Sequence, residues 1–265
     1  MLLLITGCIQ VDESIPYISI VNQEMRYQGY LYTLRWASKC GAFNKVVFCE
    51  NSGFEMKDES ITDMFIANDI EYEYLTFIGD KKKTIKRGKG YGEGEIIEYA
   101  IKNSKLVKKE KGFFKITGLL TIRNILQLVK EYDADCIFNR NLLAVDCVDT
   151  RFYYCNKDIY LKELLHIYYN INDKAGLSME KIYYEKLKEL NLLSTGFNHY
   201  PIFLGKSGSL GYSYDGELKI SVWMYELFAR MNVYNSEFVQ RYMSIFYRYD
   251  KKRKLKDVQK HGKNK

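Results

Sequence analysis

The sequence has little of what interrupts or cross-links a chain. Its 265 residues include only two prolines, Pro16 and Pro201, which argues against a proline-rich linker or arm. The six cysteines lie far apart without a Cys-x-x-Cys pair, so we expect reduced, buried thiols and no zinc site. No apolar run has the length of a transmembrane helix. The apolar start, Met1–Ile9, lacks a basic leader and predicts a buried strand instead of a signal peptide.

The chain does contain enough apolar material for a globular protein. Hydrophobic residues make up 47% of it and aromatic residues 15%. A chain of this length can bury one sizeable core with a small appended part. The formal net charge of +7 is concentrated after Asp250, in a run that begins Lys-Lys-Arg-Lys. Such a tail attracts anionic membranes and, on composition alone, nucleic acid. No nucleic-acid reader motif accompanies it, so we do not expect nucleic acid as a partner.

The first half of the chain alternates strand and helix signals. Strand-like runs fall at 2–9, 45–49, 70–77, 112–118 and 136–139, and helix-like runs at 23–38, 58–68, 96–107 and 122–132. Strands separated by helices of this length predict a mainly parallel, twisted sheet covered by helices, which is a Rossmann-type α/β fold. No internal repeat or interdomain linker is visible.

The pattern changes after Asp146. A strand-like run at 150–155, helix-like runs at 159–170 and 178–193, and a Gly/Ser-rich strand-loop at 197–213 follow. We therefore predict a single domain over 1–217, divided into halves at 1–145 and 146–217. An aromatic helical extension over 218–250, of one helix or two, and a basic tail over 251–265 complete the predicted organisation.

Polar residues follow the first two predicted strands. Thr6 and Gly7 end the first, and Glu50 and Asn51 end the second. Both pairs fall where a nucleotide lies in an open α/β sheet, and a carboxylate or amide there can accept a hydrogen bond from a base or ribose. The alternative is that Asn-Ser-Gly after the second strand is an ordinary turn.

A glycine-rich segment, 88–95, precedes the fourth predicted helix. It is neither a Walker A sequence nor a dinucleotide fingerprint. We predict a loop whose backbone N–H groups approach an anion with help from the helix dipole. This makes Lys89, Gly90, Gly92 and Glu93 candidate binding residues.

Candidate acids and bases lie in the second half. Glu180, in the first turn of a predicted helix, can deprotonate an acceptor hydroxyl, although first-turn acids also complement the helix dipole. Asp149 is the alternative candidate for this base. With Arg151 it flanks a strand start, where the two would bind sugar hydroxyls or form an internal ion pair.

A late segment is typical of loops that close over phosphates. It supplies the candidate binding residues His199, Lys206 and Ser207.

An Asp-x-Asp pair occurs at Asp133 and Asp135. Such a pair binds Mg²⁺ or Mn²⁺ when it ends a buried strand. Here it follows a predicted helix, at the opposite edge of the sheet from the ligand crevice. A divalent metal is therefore not favoured, and Lys115, Arg123 or Lys206 would neutralise a diphosphate instead.

The order of these elements resembles GT-A-type glycosyltransferases, similar to small bacterial enzymes of capsule, lipopolysaccharide or other surface-glycan synthesis. The segments that carry the resemblance are 2–7, 45–53, 89–104, 113–118, 149–152 and 178–187. It implies a nucleotide-sugar donor bound by 1–145 and a saccharide or lipid-linked acceptor bound by 146–217. It also implies a cytoplasmic enzyme, at the inner face of the cell membrane if the basic tail binds lipid.

The same resemblance assigns roles to residues. Glu50 and Asn51 correspond to the base or ribose contact, and Glu180 to the general base of inverting members. Lys115 and Thr117 stand where the family's strand usually ends in Asp-x-Asp, which puts metal dependence in doubt.

Two alternatives remain open at this stage. One is a sugar-phosphate nucleotidyltransferase, which normally carries its glycine-rich loop near the amino terminus, where this chain is poor in glycine. The other is a basic, non-enzymatic protein that binds nucleic acid or a membrane.

Overall fold

The protein is described by a computed structural model covering residues 1–15, 18–130, 134–140, 146–193, 196–206, 208, 213–214, 219–242 and 245. The candidates Asp133 and Ser207 and the basic tail lie outside these ranges. None of the described helices is long and apolar enough to cross a membrane.

The described residues form strands and helices in alternation. The strands are β1 Leu2–Gly7, β2 Lys45–Glu50, β3 Glu71–Thr76, β4 Gly112–Thr117, β5 Leu120–Ile122, β6 Cys136–Ile137, β7 Phe152–Asn156 and β8 Phe203–Gly205. The helices are α1 Gln23–Lys39, α2 Glu59–Ile66, α3 Lys81–Arg87, α4 Lys89–Asn103, α5 Lys105–Lys109, α6 Ile125–Lys130, α7 Lys157–Ile159, α8 Met179–Glu189 and α9 Lys219–Arg230.

Six strands form one sheet in the order β3-β2-β1-β4-β7-β6. The first four are parallel, and β7 runs antiparallel to both of its neighbours. β1 is buried on both faces because Leu3 and Ile5 join the core under α1, whereas Leu2 and Leu4 join the core under α4. A continuous apolar run is what a doubly covered parallel strand requires. The predicted mixed α/β fold with a mainly parallel, helix-flanked sheet is confirmed.

Several predicted boundaries are wrong. The glycine-rich segment is not a loop, because α4 begins at Lys89 and contains Gly90, Gly92 and Gly94. These glycines permit close packing, since a Cβ at Gly94 would lie 2.3 Å from the ring of Tyr168. The helix predicted at 122–132 is preceded by β5 and spans only Ile125–Lys130 in the described part.

Two further helices are interrupted. The helix predicted at 159–170 becomes α7, a π-helical turn at Tyr160–Leu164 and a 3₁₀ turn at Ile167–Asn170. The aromatic extension breaks after α9, where Asn232 adopts a positive φ of 52°, and a second helical segment covers 237–242.

Glu50 holds together the turns that follow the first three parallel strands. Its side chain is fully buried. One carboxylate oxygen accepts the backbone N–H of Phe54 at 2.9 Å and the hydroxyl of Thr76. The other accepts the N–H and hydroxyl of Ser52, and more distantly the N–H of Ile9. This carboxylate is committed to the fold, in contrast to its predicted role as a base or ribose contact.

We expect Glu50→Gln to destabilise the protein by about 1–3 kcal/mol. The glutamine replaces one acceptor oxygen with an NH₂ donor, which would face N–H and hydroxyl groups that also donate. Urea unfolding of the variant measures the change. The matched control is Glu55→Gln, whose side chain is 78% exposed and which should have almost no effect. Wild-type stability in Glu50→Gln would contradict the structural role.

Candidate functional site

A cavity of about 340 Å³ opens at the carboxyl edge of the sheet, where β1 and β4 lie side by side. Their flanking helices α1 and α4 cover opposite faces of the sheet. Open α/β sheets bind ligands at such a switch point. The predicted residues that line the cavity are Thr6, Gly7, Asn51, Lys89, Gly90, Gly92, Glu93, Thr117, Asp149, Arg151, Glu180 and Lys206. These twelve residues, predicted from separate parts of the sequence, therefore lie around one cavity.

Three other candidates do not line it. Glu50 lies beneath the turns described above, and Lys115 is fully buried in β4. His199 contacts Glu226 of α9 through its Nδ1 atom, so it ties the late segment to the C-terminal helix. Arg123, the remaining predicted diphosphate cation, is also absent from the cavity lining and borders a separate apolar hollow beside α1.

Lys115 uses its three ammonium hydrogens within the protein. It donates to Glu93 Oε1, to Thr117 Oγ1 at 2.8 Å and to the carbonyl of Thr150 at 2.8 Å. Because its side chain has no exposed surface, it cannot contact a diphosphate as predicted. Lys115 instead neutralises a carboxylate at the cavity floor.

Glu93 is the exposed end of this ion pair. Its side chain is 21% exposed, and its Oε1 atom also accepts the hydroxyls of Thr6 and Thr117 at 3.1 and 3.0 Å. Burial opposes ionisation, but the charge of Lys115 and the hydrogen bonds from Lys115 and Thr117 outweigh it and lower the pKa of Glu93. The cavity floor therefore presents an ionised carboxylate at neutral pH.

Asp173 lies beside the start of α4. Gly88, the residue before α4, has no side chain to cap the helix with, and the carboxylate of Asp173 packs against it. The two residues are so close that a Cβ at Gly88 would lie 2.0 Å from Asp173 Oδ2. Burial, and then the charges of Glu180 and Glu93, raise the pKa of Asp173, although the nearby backbone N–H of Gly90 and the charge of Lys89 lower it.

Sequence reasoning missed Asp173, although it lines the cavity. A helix that begins at glycine needs its first N–H groups satisfied from elsewhere, and that signal was available at Gly88. It could not identify which distant residue lies beside them.

Two buried acceptor atoms in the cavity lining have no hydrogen-bond partner among the described residues. They are Asn51 Oδ1 and Asp173 Oδ2. Buried acceptors without a partner are uncommon in folded proteins. Hydroxyl or N–H groups on a ligand would satisfy both.

Asp149 and Arg151 form the internal ion pair that the sequence left as one of two readings. Arg151 donates from Nε at 2.9 Å and from one terminal nitrogen at 2.5 Å to the two carboxylate oxygens of Asp149. Its guanidinium lies over the rings of Phe203 and Tyr214, at 4.1 and 5.1 Å. Although burial opposes it, Asp149 raises the pKa of Arg151 well above its usual value. The other terminal nitrogen makes no hydrogen bond to a described residue.

Glu180 is a carboxylate on the cavity wall. It lies in the first turn of α8, whose cap is the side chain of Ser178. No hydrogen bond or ion pair joins its carboxylate to the described part of the chain. Its charge raises the pKa of Asp173, so the two carboxyl groups are neighbours.

Aromatic side chains complete the wall and were not predicted. Tyr30, Tyr200 and Tyr214 line the cavity. Arg26 holds the adjacent segment in place by donating to the carbonyls of Cys8 and Ile20 and to the hydroxyl of Tyr30. The tyrosine-rich composition carried no positional signal that could single these residues out.

Within the described ranges, no three or more His, Cys, Asp or Glu side chains are grouped so as to hold a metal ion. Asp135 precedes β6, the edge strand beyond β7, so it does not lie at the β1–β4 crevice. Its backbone carbonyl accepts from Asn156.

No family model and no curated protein matches the sequence. Twelve chains among solved structures do. One is HddC from Yersinia pseudotuberculosis, which is 13% identical, with 60% of this chain and 77% of HddC covered and a TM-score of 0.29. A likeness this low carries no inference about fold or chemistry, so function must be inferred from the cavity itself.

We expect Glu93→Gln to lower the free energy of unfolding by about 3–5 kcal/mol, because it leaves the buried ammonium of Lys115 without a countercharge. The double variant Glu93→Gln with Lys115→Met should recover much of the loss, which urea unfolding would measure.

The stabilisation by Glu93 should also depend on pH. Because the folded-state pKa of Glu93 is lowered, its contribution to the free energy of unfolding is present above the ordinary carboxyl pKa and is lost as pH falls through the lowered value. A Glu93→Gln variant with wild-type stability at neutral pH would refute the stabilising role of the ion pair with Lys115.

Proposed function

We propose that this chain transfers a sugar from a nucleotide-sugar donor to a hydroxyl group of a saccharide or lipid-linked acceptor. The observation that carries the proposal is the carboxylate of Glu180, which pairs with none of the described residues and lines a switch-point cavity. The same cavity presents cations and two acceptor atoms without a partner among the described residues. A nucleotide sugar combines a diphosphate, sugar hydroxyls and a flat base. This cavity offers a matching group for each of the three.

The diphosphate is matched by cationic side chains. Lys89 and Lys206 line the cavity and are exposed, and Arg151 turns its remaining terminal nitrogen away from Asp149. Fixed cations stabilise the negative charge that develops on a leaving diphosphate. The base or a sugar ring is matched by the tyrosine walls, since an aromatic face packs on a flat or apolar face.

The sugar hydroxyls are matched by Asn51 and Asp173. Each has a buried oxygen that accepts no hydrogen bond from the described residues. Placing hydroxyl donors against these oxygens would orient the donor and remove the penalty of two unsatisfied groups.

The proposed reaction is a direct displacement. The acceptor oxygen attacks the anomeric carbon as its proton passes to the carboxylate of Glu180. The bond from that carbon to the donor's phosphate oxygen breaks, and its electron pair leaves with the nucleoside diphosphate. Asp149 is less suited to the proton transfer, because both of its oxygens already accept from Arg151.

We expect Glu180→Gln to lower turnover by about 10²–10⁴-fold while leaving donor affinity nearly unchanged, since the amide cannot take the proton. A thermal-shift screen against nucleotide sugars first identifies the donor, and calorimetry and product formation then measure the two effects. The matched control is Glu185→Gln, an exposed carboxylate on the same helix.

Full turnover in Glu180→Gln would overturn its role as the base. Release of pyrophosphate from a nucleoside triphosphate and a sugar phosphate, without sugar transfer, would instead favour a nucleotidyltransferase.

We expect transfer to persist in excess EDTA, because the proposed diphosphate cations are Lys89, Arg151 and Lys206. The measurement is turnover before and after chelation, with Mg²⁺ or Mn²⁺ added back. Loss of turnover on chelation, with recovery when metal is added back, would show that these side chains alone do not stabilise the leaving diphosphate. The metal dependence that is usual in GT-A-type glycosyltransferases would then apply.

A further inference from the structure

The C-terminal helix α9 is apolar on both faces. Its inner face buries Tyr225 and Ala229. Its outer face carries Trp223 and Leu227, with Met231 one turn further, and these side chains are 65%, 41% and 60% exposed. Residues four apart lie on one side of a helix, so the three form a stripe. A helix that is apolar all round is normally covered on both sides.

The next helical segment, 237–242, repeats this arrangement. It buries Val239, whereas Phe238, Tyr242 and the following Ile245 are 81%, 47% and 69% exposed. The inner faces of both segments meet in one small cluster. Both apolar stripes therefore face away from that cluster, toward solvent.

All of the protein's net charge lies directly after these stripes. Residues 251–265 contain eight Lys or Arg and one Asp, which gives +7. The whole chain has 40 basic and 33 acidic residues, also +7, so the preceding 250 residues sum to zero. An apolar surface and a concentrated positive charge thus occur next to each other in sequence.

We propose that the stripes Trp223–Leu227–Met231 and Phe238–Tyr242–Ile245, together with the basic tail, dock the protein on an anionic lipid membrane. A bilayer surface offers both an acyl boundary for aromatic and aliphatic side chains and anionic headgroups for lysines. A second copy of this chain would cover the stripes but would bring two +7 tails together. Nucleic acid would attract the tail but offers nothing to the stripes.

The docking surface is joined to the cavity wall. Tyr200 lines the cavity, its backbone N–H donates to Glu226 of α9 at 3.0 Å, and its ring lies 4.7 Å from that of Tyr225. Membrane docking would hold the cavity close to the lipid surface. If the proposed function holds, a cavity close to the lipid surface favours an acceptor carried on a lipid.

The test is co-sedimentation of the full chain with phosphatidylcholine vesicles, with and without phosphatidylserine, in the absence of any nucleotide sugar. We expect binding only to the vesicles with phosphatidylserine. The pair Trp223→Ser with Phe238→Ser should weaken binding by about tenfold or more. Truncation after Asp250 should weaken it on the order of 100-fold at low salt, and high salt should reproduce much of that loss.

Two controls keep the result specific. Ile66→Ser removes an apolar side chain of matched exposure, 68%, from α2 and should leave binding unchanged. In a Trp36→Phe background, the remaining Trp223 should shift its emission to shorter wavelength on adding anionic vesicles.

Absence of vesicle binding would overturn the proposal. So would binding that is unchanged both in the serine variant and in the truncated chain. Normal vesicle binding by the serine variant together with loss of a dimer in sedimentation velocity would assign the stripes to self-association. Because no donor or acceptor is used, failure here leaves the transfer reaction untouched, and failure of transfer leaves docking untouched.

Discussion

The buried ion pair between Lys115 and Glu93 is the constraint on which the candidate site depends. An ammonium group in the middle of a doubly covered strand is tolerated only with a countercharge and full hydrogen bonding. Glu93 lies in the second turn of α4, so the pair fixes the start of that helix against the ends of β1 and β4. The cavity forms where this anchoring leaves the sheet edge open.

The glycines of α4 follow from the same constraint. The helix must approach its neighbours closely, and Gly94 packs directly on Tyr168. Gly88 precedes the helix with a φ of 110° and leaves room for the carboxylate of Asp173. The segment that looked like a phosphate loop is therefore a closely packed helix start, with a carboxylate of the protein itself beside it.

The sequence predicted the sheet because its signals are local: apolar runs, strand spacing and helix periods. Polar residues at the ends of β1 and β2 also predicted the sheet edge at which the cavity opens. Of the two residues predicted after β2, Asn51 lines the cavity and Glu50 does not. The sequence could not show which charged residues pair with each other across the fold. Lys115 looks like a free cation in sequence, and only the packing of α4 shows its partner. Asp173 was missed because it packs on the start of α4 from more than 80 residues away in sequence.

This pairing changes the electrostatics required of any anionic ligand. Lys115 and Glu93 cancel each other, so the strand end contributes little net field to the cavity. Asp149 likewise offsets Arg151. On the proposed function, the net attraction for a diphosphate then comes from the exposed lysines of the cavity lining, Lys81, Lys89 and Lys206. Lys206 lies on a late segment, far in sequence from the other two, so a bound diphosphate would be held from two separate parts of the chain.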